Sequence, residues 1–225
     1  MTNSRLTLSI LLFGAVFFIS TASAGMIDKE GMDEWEICAM CHNVNGISRM
    51  AKFPKLAGQK AAYIRKQFLD FYHGRRNNGG GQMEAIATEV DLSAVDSIAT
   101  YFAQLPPPVA KELEPDADSI QRFSRGEKLF YQGRENILAC ASCHDPLGYS
   151  HRQNAPLEVL DIRSIAPWLF AQHEQYLVKQ LQDFSASTRS NEETGTMHRI
   201  AQQLNEESIR SVAFYLAREQ PIREE

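Results

Sequence analysis

Two copies of one short pattern of cysteine and histidine stand out in this chain of 225 residues. The first is Cys38-Ala39-Met40-Cys41-His42 and the second is Cys140-Ala141-Ser142-Cys143-His144. Cys-x-x-Cys-His is the attachment motif of c-type haem. Its two thiols add to the two vinyl groups of the porphyrin, and its histidine binds the iron from one side. The sequence therefore predicts two covalently bound haem c groups, attached by Cys38, Cys41, Cys140 and Cys143. The predicted proximal iron ligands are His42 and His144.

Two other chemistries use the Cys-x-x-Cys spacing. All four thiolates could hold one structural zinc ion, or each pair could form a redox dithiol of the thioredoxin type. Neither requires a histidine directly after both pairs, whereas haem attachment does. Haem attachment is therefore the favoured interpretation.

The rest of the chain repeats in step with the two motifs. The equivalent positions, at an offset of 113 residues, are Pro54 with Pro167, Tyr63 with Tyr176, Gln67 with Gln180, Phe71 with Phe184 and Arg76 with Arg189. The two haem motifs are offset by only 102 residues, so the second copy contains an insertion after its motif. This pattern predicts a tandem duplication.

A haem held by one histidine needs a sixth ligand, or leaves the other side of its iron open. Met83 and Met197 occupy equivalent places in the two copies, at an offset of 114 residues, and we predict that they are the distal ligands. His198 adjoins Met197, but its counterpart in the first copy is Glu84, which favours methionine. The other candidates are Met26, Met32, Met50, His73, His151 and His173; Met40 lies inside the attachment motif and cannot reach around the ring.

A longer run of characteristic residues follows the first motif. Phe53-Pro54-Lys55-Leu56-Ala57-Gly58-Gln59 precedes Tyr63, Gln67, Phe71, Gly74-Arg75-Arg76 and Met83. This succession resembles the cytochrome c4 family, which consists of periplasmic dihaem proteins made of two fused class I cytochrome c domains. The resemblance covers essentially the whole chain after residue 24. It implies an all-α fold of two tandem class I cytochrome c domains joined by a proline-rich linker.

The resemblance also implies roles for two prolines and two arginines. Pro54 and Pro167 would pack beside the haems and fix each proximal histidine through its ring N–H, a contact that sets ligand orientation and basicity. Arg76 and Arg189 would face haem propionates, because a guanidinium suits a carboxylate. The second copy is expected to lack the Gly-Gln of the first, and Ser187 replaces a glycine.

Composition divides the chain into four segments. Residues 1–24 predict an export signal, because Arg5 precedes an apolar run and Ala22-Ser23-Ala24 is a small-x-small cleavage site. Cleavage after Ala24 would give a periplasmic protein; the alternative is an uncleaved anchor, for which the run falls short of the roughly 20 residues that a span needs. Residues 25–105 are predicted to form domain 1, residues 106–118 the linker and residues 119–225 domain 2.

Capping patterns predict where three helices begin. Ser93 and Asp96 suit a capping box that opens one helix, and Asn205 suits the N-cap of the last helix. The first helix of domain 2 is predicted to begin at Arg125.

The predicted coordination determines the predicted activity. Ligation by histidine and methionine fills both axial positions, raises the reduction potential and leaves no place for a substrate. We therefore predict an electron-transfer protein, not an enzyme, which passes electrons between respiratory redox partners to a terminal oxidase or reductase. Two alternatives remain: the electron-acceptor subunit of a dehydrogenase complex, such as a sulfide-oxidising flavocytochrome, and a catalytic dihaem enzyme with one open iron.

The charge balance bears on the partners. The chain has 23 basic and 28 acidic residues, a net charge of −5, which argues against nucleic acid. The acidic excess lies after Leu105, where it forms either a docking surface or a solvated face together with the insertion, residues 145–165. The predicted partners are redox proteins: a membrane cytochrome complex, a terminal oxidase or reductase, or a dehydrogenase. Peripheral association with the membrane is compatible with these partners.

Overall fold

The computed structural model describes residues 27–144 and 165–220. These residues form helices and loops and contain no β-strand; one isolated bridge joins Arg134 and Ile137. The predicted export signal, residues 1–24, and the insertion up to residue 164 lie outside the described residues. No helix within the described ranges is long and apolar enough to cross a membrane.

Four described helices form the first domain: α1 (Glu36–His42), α2 (Ala61–Tyr72), α3 (Gln82–Glu89) and α4 (Val95–Gln104). α2 packs against both α3 and α4, and their apolar faces enclose a core around Phe102, which is completely buried. Cys38 belongs to this core, so the first haem motif lies on the wall of the apolar interior.

Five described helices form the second domain: α5 (Ala117–Gln132), α6 (Ala141–His144), α7 (Glu174–Ser185), α8 (Thr196–Ala201) and α9 (Glu206–Arg218). α9 packs against α5 and α7. The ring of Phe130 contacts both Phe170 and Tyr215 at centroid distances of 5.3 and 5.6 Å, and these aromatic rings fill the centre of the core.

The helices follow the sequence repeat. α2 and α7 both begin and end 113 residues apart, and α4 and α9 end 114 residues apart. The exception is α5, which has no counterpart among residues 27–35, where the chain forms turns. There the ring of Trp35 stacks on Tyr101, with centroids 4.2 Å apart. Tyr101 of α4 is the counterpart of Tyr215 of α9. The indole of Trp35 therefore covers α4 in the first domain, whereas the whole helix α5 covers α9 in the second domain.

The predicted capping box of α4 is wrong. The side chain of Asp91 accepts the backbone N–H of Ser93 at 2.8 Å and caps a short 3-10 turn that leads into α4. Asp96 instead forms an ion pair with Arg65 of α2 at 2.6 Å. Because the 3-10 turn precedes α4, helical hydrogen bonding begins before Val95. Asp96 therefore lies inside the helix and not at its cap.

The other two predicted helix starts differ in outcome. Asn205 caps α9 as predicted, because its side chain accepts the N–H of Ser208 at 2.9 Å. The helix predicted to begin at Arg125 begins at Ala117 instead, with Asp116 as its cap. α5 therefore includes the last two residues of the predicted linker.

The remainder of the linker contacts both domains. Ala110 N–H donates to the side chain of Gln220 at 3.0 Å, and Lys111 N–H donates to the carbonyl oxygen of Ala217 at 3.2 Å. On the other side, a Cβ at Gly58 would lie 3.0 Å from Pro107. These contacts hold the linker between residues 107 and 111 against both domains.

α5 and α9 cross with almost no space between their backbones. A Cβ at Gly126 would lie 2.1 Å from the carbonyl oxygen of Ser211 and 2.6 Å from Cβ of Tyr215. A helix backbone does not move aside as a flexible side chain does, so the close packing of this crossing requires glycine.

We expect Gly126→Ala to lower the free energy of unfolding by about 2–3 kcal/mol, because overpacking forces the two helices apart. Guanidinium denaturation of the holoprotein, followed by circular dichroism, measures the change. The matched control is Ser124→Ala at an exposed position of the same helix, where the change should stay within about 0.5 kcal/mol. Equal destabilisation by the two substitutions would contradict the role of the crossing.

Candidate haem sites

The histidines of the two motifs are held in the same way. Nδ1 of His42 lies 2.8 Å from the carbonyl oxygen of Pro54, and Nδ1 of His144 lies 2.9 Å from that of Pro167. A carbonyl oxygen only accepts, so the ring proton is on Nδ1 and the lone pair is on Nε2 in both residues. Each ring therefore has one nitrogen oriented by the protein and one available to a metal.

Burial keeps both rings uncharged. His42 and His144 are 4% and 7% exposed. Burial lowers the pKa of His144 to about 4 and also lowers the pKa of His42, and it outweighs the proline carbonyls, which raise both. At neutral pH both imidazoles are in the form that binds a metal.

No disulfide joins any of the four cysteines, all of which lie in the described ranges. Burial, with a smaller contribution from the second cysteine of each motif, raises the pKa of Cys38 to about 12 and that of Cys140 to about 11. The reactive cysteine of a thioredoxin-type dithiol has a lowered pKa, and burial shifts these two pKa values in the opposite direction. Among the described residues, which include all four cysteines, no three His, Cys, Asp or Glu side chains are grouped to hold a metal ion. A shared zinc site is therefore excluded.

A carboxylate holds each segment that carries a predicted distal methionine. In the second domain, Glu192 accepts the backbone N–H groups of Met197 and His198 at 2.8 and 2.7 Å. In the first domain the carboxylate lies on the helix instead: Glu84 of α3 accepts the N–H of Gly79 at 3.2 Å. Both methionines are partly buried, and Met83 packs against the core of the first domain.

The rival histidines make other contacts. Nδ1 of His198 lies 2.7 Å from the carbonyl oxygen of Phe184, which holds this ring against the end of α7. His173 contacts the other domain through Ser48. His73 is exposed, and His151 lies outside the described residues.

The rival methionines differ in exposure. Met40 and Met50 are 57% and 52% exposed. Met32 packs against the core of the first domain, and Met26 lies outside the described residues.

The two domains meet in a buried polar network with approximate two-fold symmetry. Arg76 donates to the side-chain oxygens of Gln67 and Gln180, both at 2.9 Å. Arg189 donates to the same two oxygens, at 3.0 Å for Gln67 and 2.7 Å for Gln180. The two guanidinium groups thus share both glutamine acceptors.

Within residues 27–144 and 165–220, no carboxylate accepts a hydrogen bond from either guanidinium, although Arg76 and Arg189 are only 5% and 6% exposed. Their positive charge acts on Tyr63: burial would raise the pKa of this phenol, but Arg189 and Arg76 outweigh burial and lower it. Buried cations are costly unless anions accompany them. Haem propionates are such anions, so this donor set fits two haem groups whose propionates meet at the domain boundary.

A second layer of the network lies beside the arginines. Asp70 accepts from Lys66 at 2.6 Å and from the side chain of Asn191 at 2.5 Å. The counterpart Asp183 accepts from Lys179 and, at 2.6 Å, from the side chain of Asn78. Each carboxylate therefore binds an asparagine of the other domain.

One glutamine at this boundary, Gln172, is not among the predicted site residues. Gln172 is the counterpart of Gln59 at the offset of 113 residues, so the expectation that the second copy lacks Gly-Gln is wrong for the glutamine. Only the glycine is replaced: Ala171 stands in place of Gly58, and its φ of +55° keeps the left-handed conformation. Extending the repeat offset to this position would have found Gln172.

Comparison with known proteins extends these observations. No family model matches the chain. Cytochrome c4 of Pseudomonas aeruginosa is 31% identical over 217 residues, which cover 95% of this chain and 98% of that protein. Cytochrome c4 of Thiocapsa roseopersicina is 32% identical over 182 residues, 80% of this chain and 85% of that protein. The thiosulfate dehydrogenase electron acceptor of Thiomonas intermedia is 27% identical, covering 95% and 90%.

Two solved structures resemble the fold. Reduced recombinant cytochrome c4 from Pseudomonas stutzeri has a TM-score of 0.65 and 28% identity, over 86% of this chain and 98% of that one. Thiosulfate dehydrogenase (TsdBA) from Marichromatium purpuratum has a TM-score of 0.65 and 26% identity, over 82% of this chain and 36% of that one.

The fold, the paired sites and these relatives define a dihaem c-type cytochrome, an electron-transfer protein with two covalently bound haem c groups. The chain belongs to the cytochrome c4 family. The predicted family, the all-α tandem fold and the two haem c groups are confirmed.

Asp70 makes the stability of the interface depend on pH. Burial raises the pKa of Asp70, but the hydrogen bonds from Lys66, Asn191 and Arg75 lower it by a larger amount. The pKa of Asp70 therefore lies below its ordinary value. Such a carboxylate stabilises the fold above the unfolded pKa of about 4, and this contribution is lost as pH falls through the lower folded pKa.

We expect Asp70→Asn to lower the free energy of unfolding by about 1–3 kcal/mol at pH 7, because the bonds to charged partners are lost. The difference from the unsubstituted protein should shrink towards zero as pH falls below about 4. Urea denaturation at a series of pH values measures it, with Asp96→Asn as the control in an ion pair whose Asp96 side chain is 75% exposed. A difference that does not change with pH would refute this role of Asp70.

Proposed function

We propose that this protein is an exported periplasmic cytochrome that carries electrons between respiratory redox proteins, towards a terminal oxidase or reductase. Its axial ligands are His42 and Met83 in the first domain and His144 and Met197 in the second. The observation that carries the proposal is the pair of histidine–carbonyl hydrogen bonds, because they leave Nε2 of two neutral, buried rings available to iron.

When bound, each haem supplies an iron that gains and releases one electron. The protein's own residues orient the ligands and balance the charge. Nδ1–H of each proximal histidine donates to a proline carbonyl, which raises the basicity of the ring. Met83 and Met197 would hold each iron from the side opposite its histidine, which would leave no place for a substrate. Arg76 and Arg189 provide the positive charge that the buried propionates need.

Two further observations support an electron carrier. The chain has two equivalent sites in domains that share a buried boundary, an arrangement suited to accepting an electron at one face and releasing it at another. The predicted export signal supports a periplasmic location, where the partners would be other redox proteins.

The ligand assignment predicts that Met83→Ala or Met197→Ala opens one iron to carbon monoxide and lowers its reduction potential, since a thioether ligand raises the potential. A spectroscopic redox titration of the holoprotein, repeated under carbon monoxide, measures both changes. Met50→Ala is the matched control, because Met50 is 52% exposed, and it should leave both haems closed.

Three outcomes are informative. Two positive reduction potentials that do not change under carbon monoxide, measured in the unsubstituted protein, would support an electron carrier with both irons closed to added ligands. Carbon monoxide binding by that protein would favour the catalytic dihaem enzyme. An unchanged spectrum of Met83→Ala or Met197→Ala would refute that residue as a ligand.

A second candidate function is the electron acceptor of a dehydrogenase complex. The supporting observation is the likeness to the thiosulfate dehydrogenase electron acceptor of Thiomonas intermedia and to the TsdBA structure. Stopped-flow mixing of the oxidised holoprotein with purified thiosulfate dehydrogenase and thiosulfate tests it. Rapid haem reduction that saturates with the dehydrogenase would favour this function, and reduction only by a quinol-oxidising cytochrome complex would favour the respiratory carrier.

A further inference from the structure

Two glutamines cross the domain boundary and bind the backbone of the opposite domain in the same manner. Gln59 accepts the N–H of Trp168 at 3.0 Å and donates its amide to the carbonyl oxygen of Trp168 at 2.9 Å. Gln172 accepts the N–H of Lys55 at 2.9 Å and donates to the carbonyl oxygen of Lys55 at 3.0 Å. One side-chain amide thus satisfies both backbone groups of one residue in the other domain.

The residues that receive these bonds directly follow the two prolines of the haem sites. The N–H of Lys55 and the carbonyl group of Pro54 belong to one planar peptide group. Its oxygen accepts from His42, while its N–H donates to Gln172 of the other domain. The peptide group between Pro167 and Trp168 repeats the arrangement, with His144 at its oxygen and Gln59 at its N–H.

The two glutamine side chains are fixed in position. Gln59 and Gln172 are 7% and 8% exposed. The side-chain oxygen of each also accepts the N–H of the residue that follows it, at 3.0 Å in both domains. The preceding residues, Gly58 and Ala171, both have positive φ, which gives the two loops the same turn.

We propose that Gln59 and Gln172 are positioning residues that act across the boundary: each sets the proline carbonyl that holds the proximal histidine of the other domain. Donation from the peptide N–H polarises the peptide group and makes its oxygen a stronger acceptor. A stronger acceptor makes the histidine a better donor to iron, which stabilises the oxidised state. The inference rests on His42 and His144 as the iron ligands, and it makes the potential of each haem depend on the other domain.

The test uses Gln172→Met and Gln59→Met in the holoprotein, because methionine keeps the length of the side chain but lacks the amide. In the reduced protein labelled with ¹⁵N-histidine, the assigned Nδ1–H signals of His42 and His144 report the strength of the two hydrogen bonds. For Gln172→Met we expect the His42 proton to shift to lower frequency, with the His144 signal unchanged. For Gln59→Met we expect the reverse.

Redox titration provides a second measurement. Each substitution should raise one of the two potentials, and the two substitutions should raise different ones. Gln175→Met, at an exposed position close to Gln172, is the matched control and should move neither signal nor potential.

A third variant separates this role from general loosening of the boundary. Asn78→Ala removes the bonds to Gln180 and Asp183 and the bond from Arg76, but it leaves both crossing glutamines in place. We expect both histidine N–H signals to stay where they are. Movement of both signals in Asn78→Ala, or changes confined to the substituted domain in the glutamine variants, would overturn the proposal. The readout does not involve a redox partner, so failure of the proposed electron-carrier function would not produce either result.

Discussion

The structure of both sites depends on one hydrogen bond, from Nδ1–H of a buried histidine to a proline carbonyl. The bond fixes which nitrogen carries the proton, and burial keeps the ring neutral. Helices that end at His42 and His144 bring the rings to the core, and the loops at Pro54 and Pro167 bring the acceptors. Each domain packs its apolar helix faces around the histidine and the carbonyl oxygen, so the same residues form the wall of the core and the haem site.

The domain boundary is buried and polar, in contrast to the apolar cores. Its buried arginines, glutamines, asparagines and carboxylates form two equivalent halves that exchange partners across an approximate two-fold axis. Such a boundary is expensive to desolvate, and complete pairing of its polar groups offsets the cost. Arg76 and Arg189 are the exception, because the side chains that accept their hydrogen bonds are neutral.

Duplication explains both the symmetry and its departures. Equivalent residues occupy equivalent places where both copies meet at the boundary, as with Gln59 and Gln172. Other places differ between the copies: Trp35 stacks where the second domain has a whole helix, and the carboxylate that holds the methionine segment lies at position 84 in one copy and 192 in the other. At the boundary itself, Lys55 is the counterpart of Trp168, yet both receive the same pair of glutamine bonds through their backbones.

The sequence by itself determined the cofactor, the duplication and the helical class, because Cys-x-x-Cys-His and the repeat offset depend only on the order of residues in the chain. It also determined the cap at Asn205, where the signal is local. The cap that leads into α4 and the start of α5 are also local, because Asp91 accepts the N–H of Ser93 and Asp116 accepts the N–H of Ser119. Both predictions placed the start too late in the chain, since they passed over these two aspartates. Only the tertiary structure decided that Gln59 and Gln172 bind the opposite domain, since no local pattern specifies which backbone group a buried amide will meet.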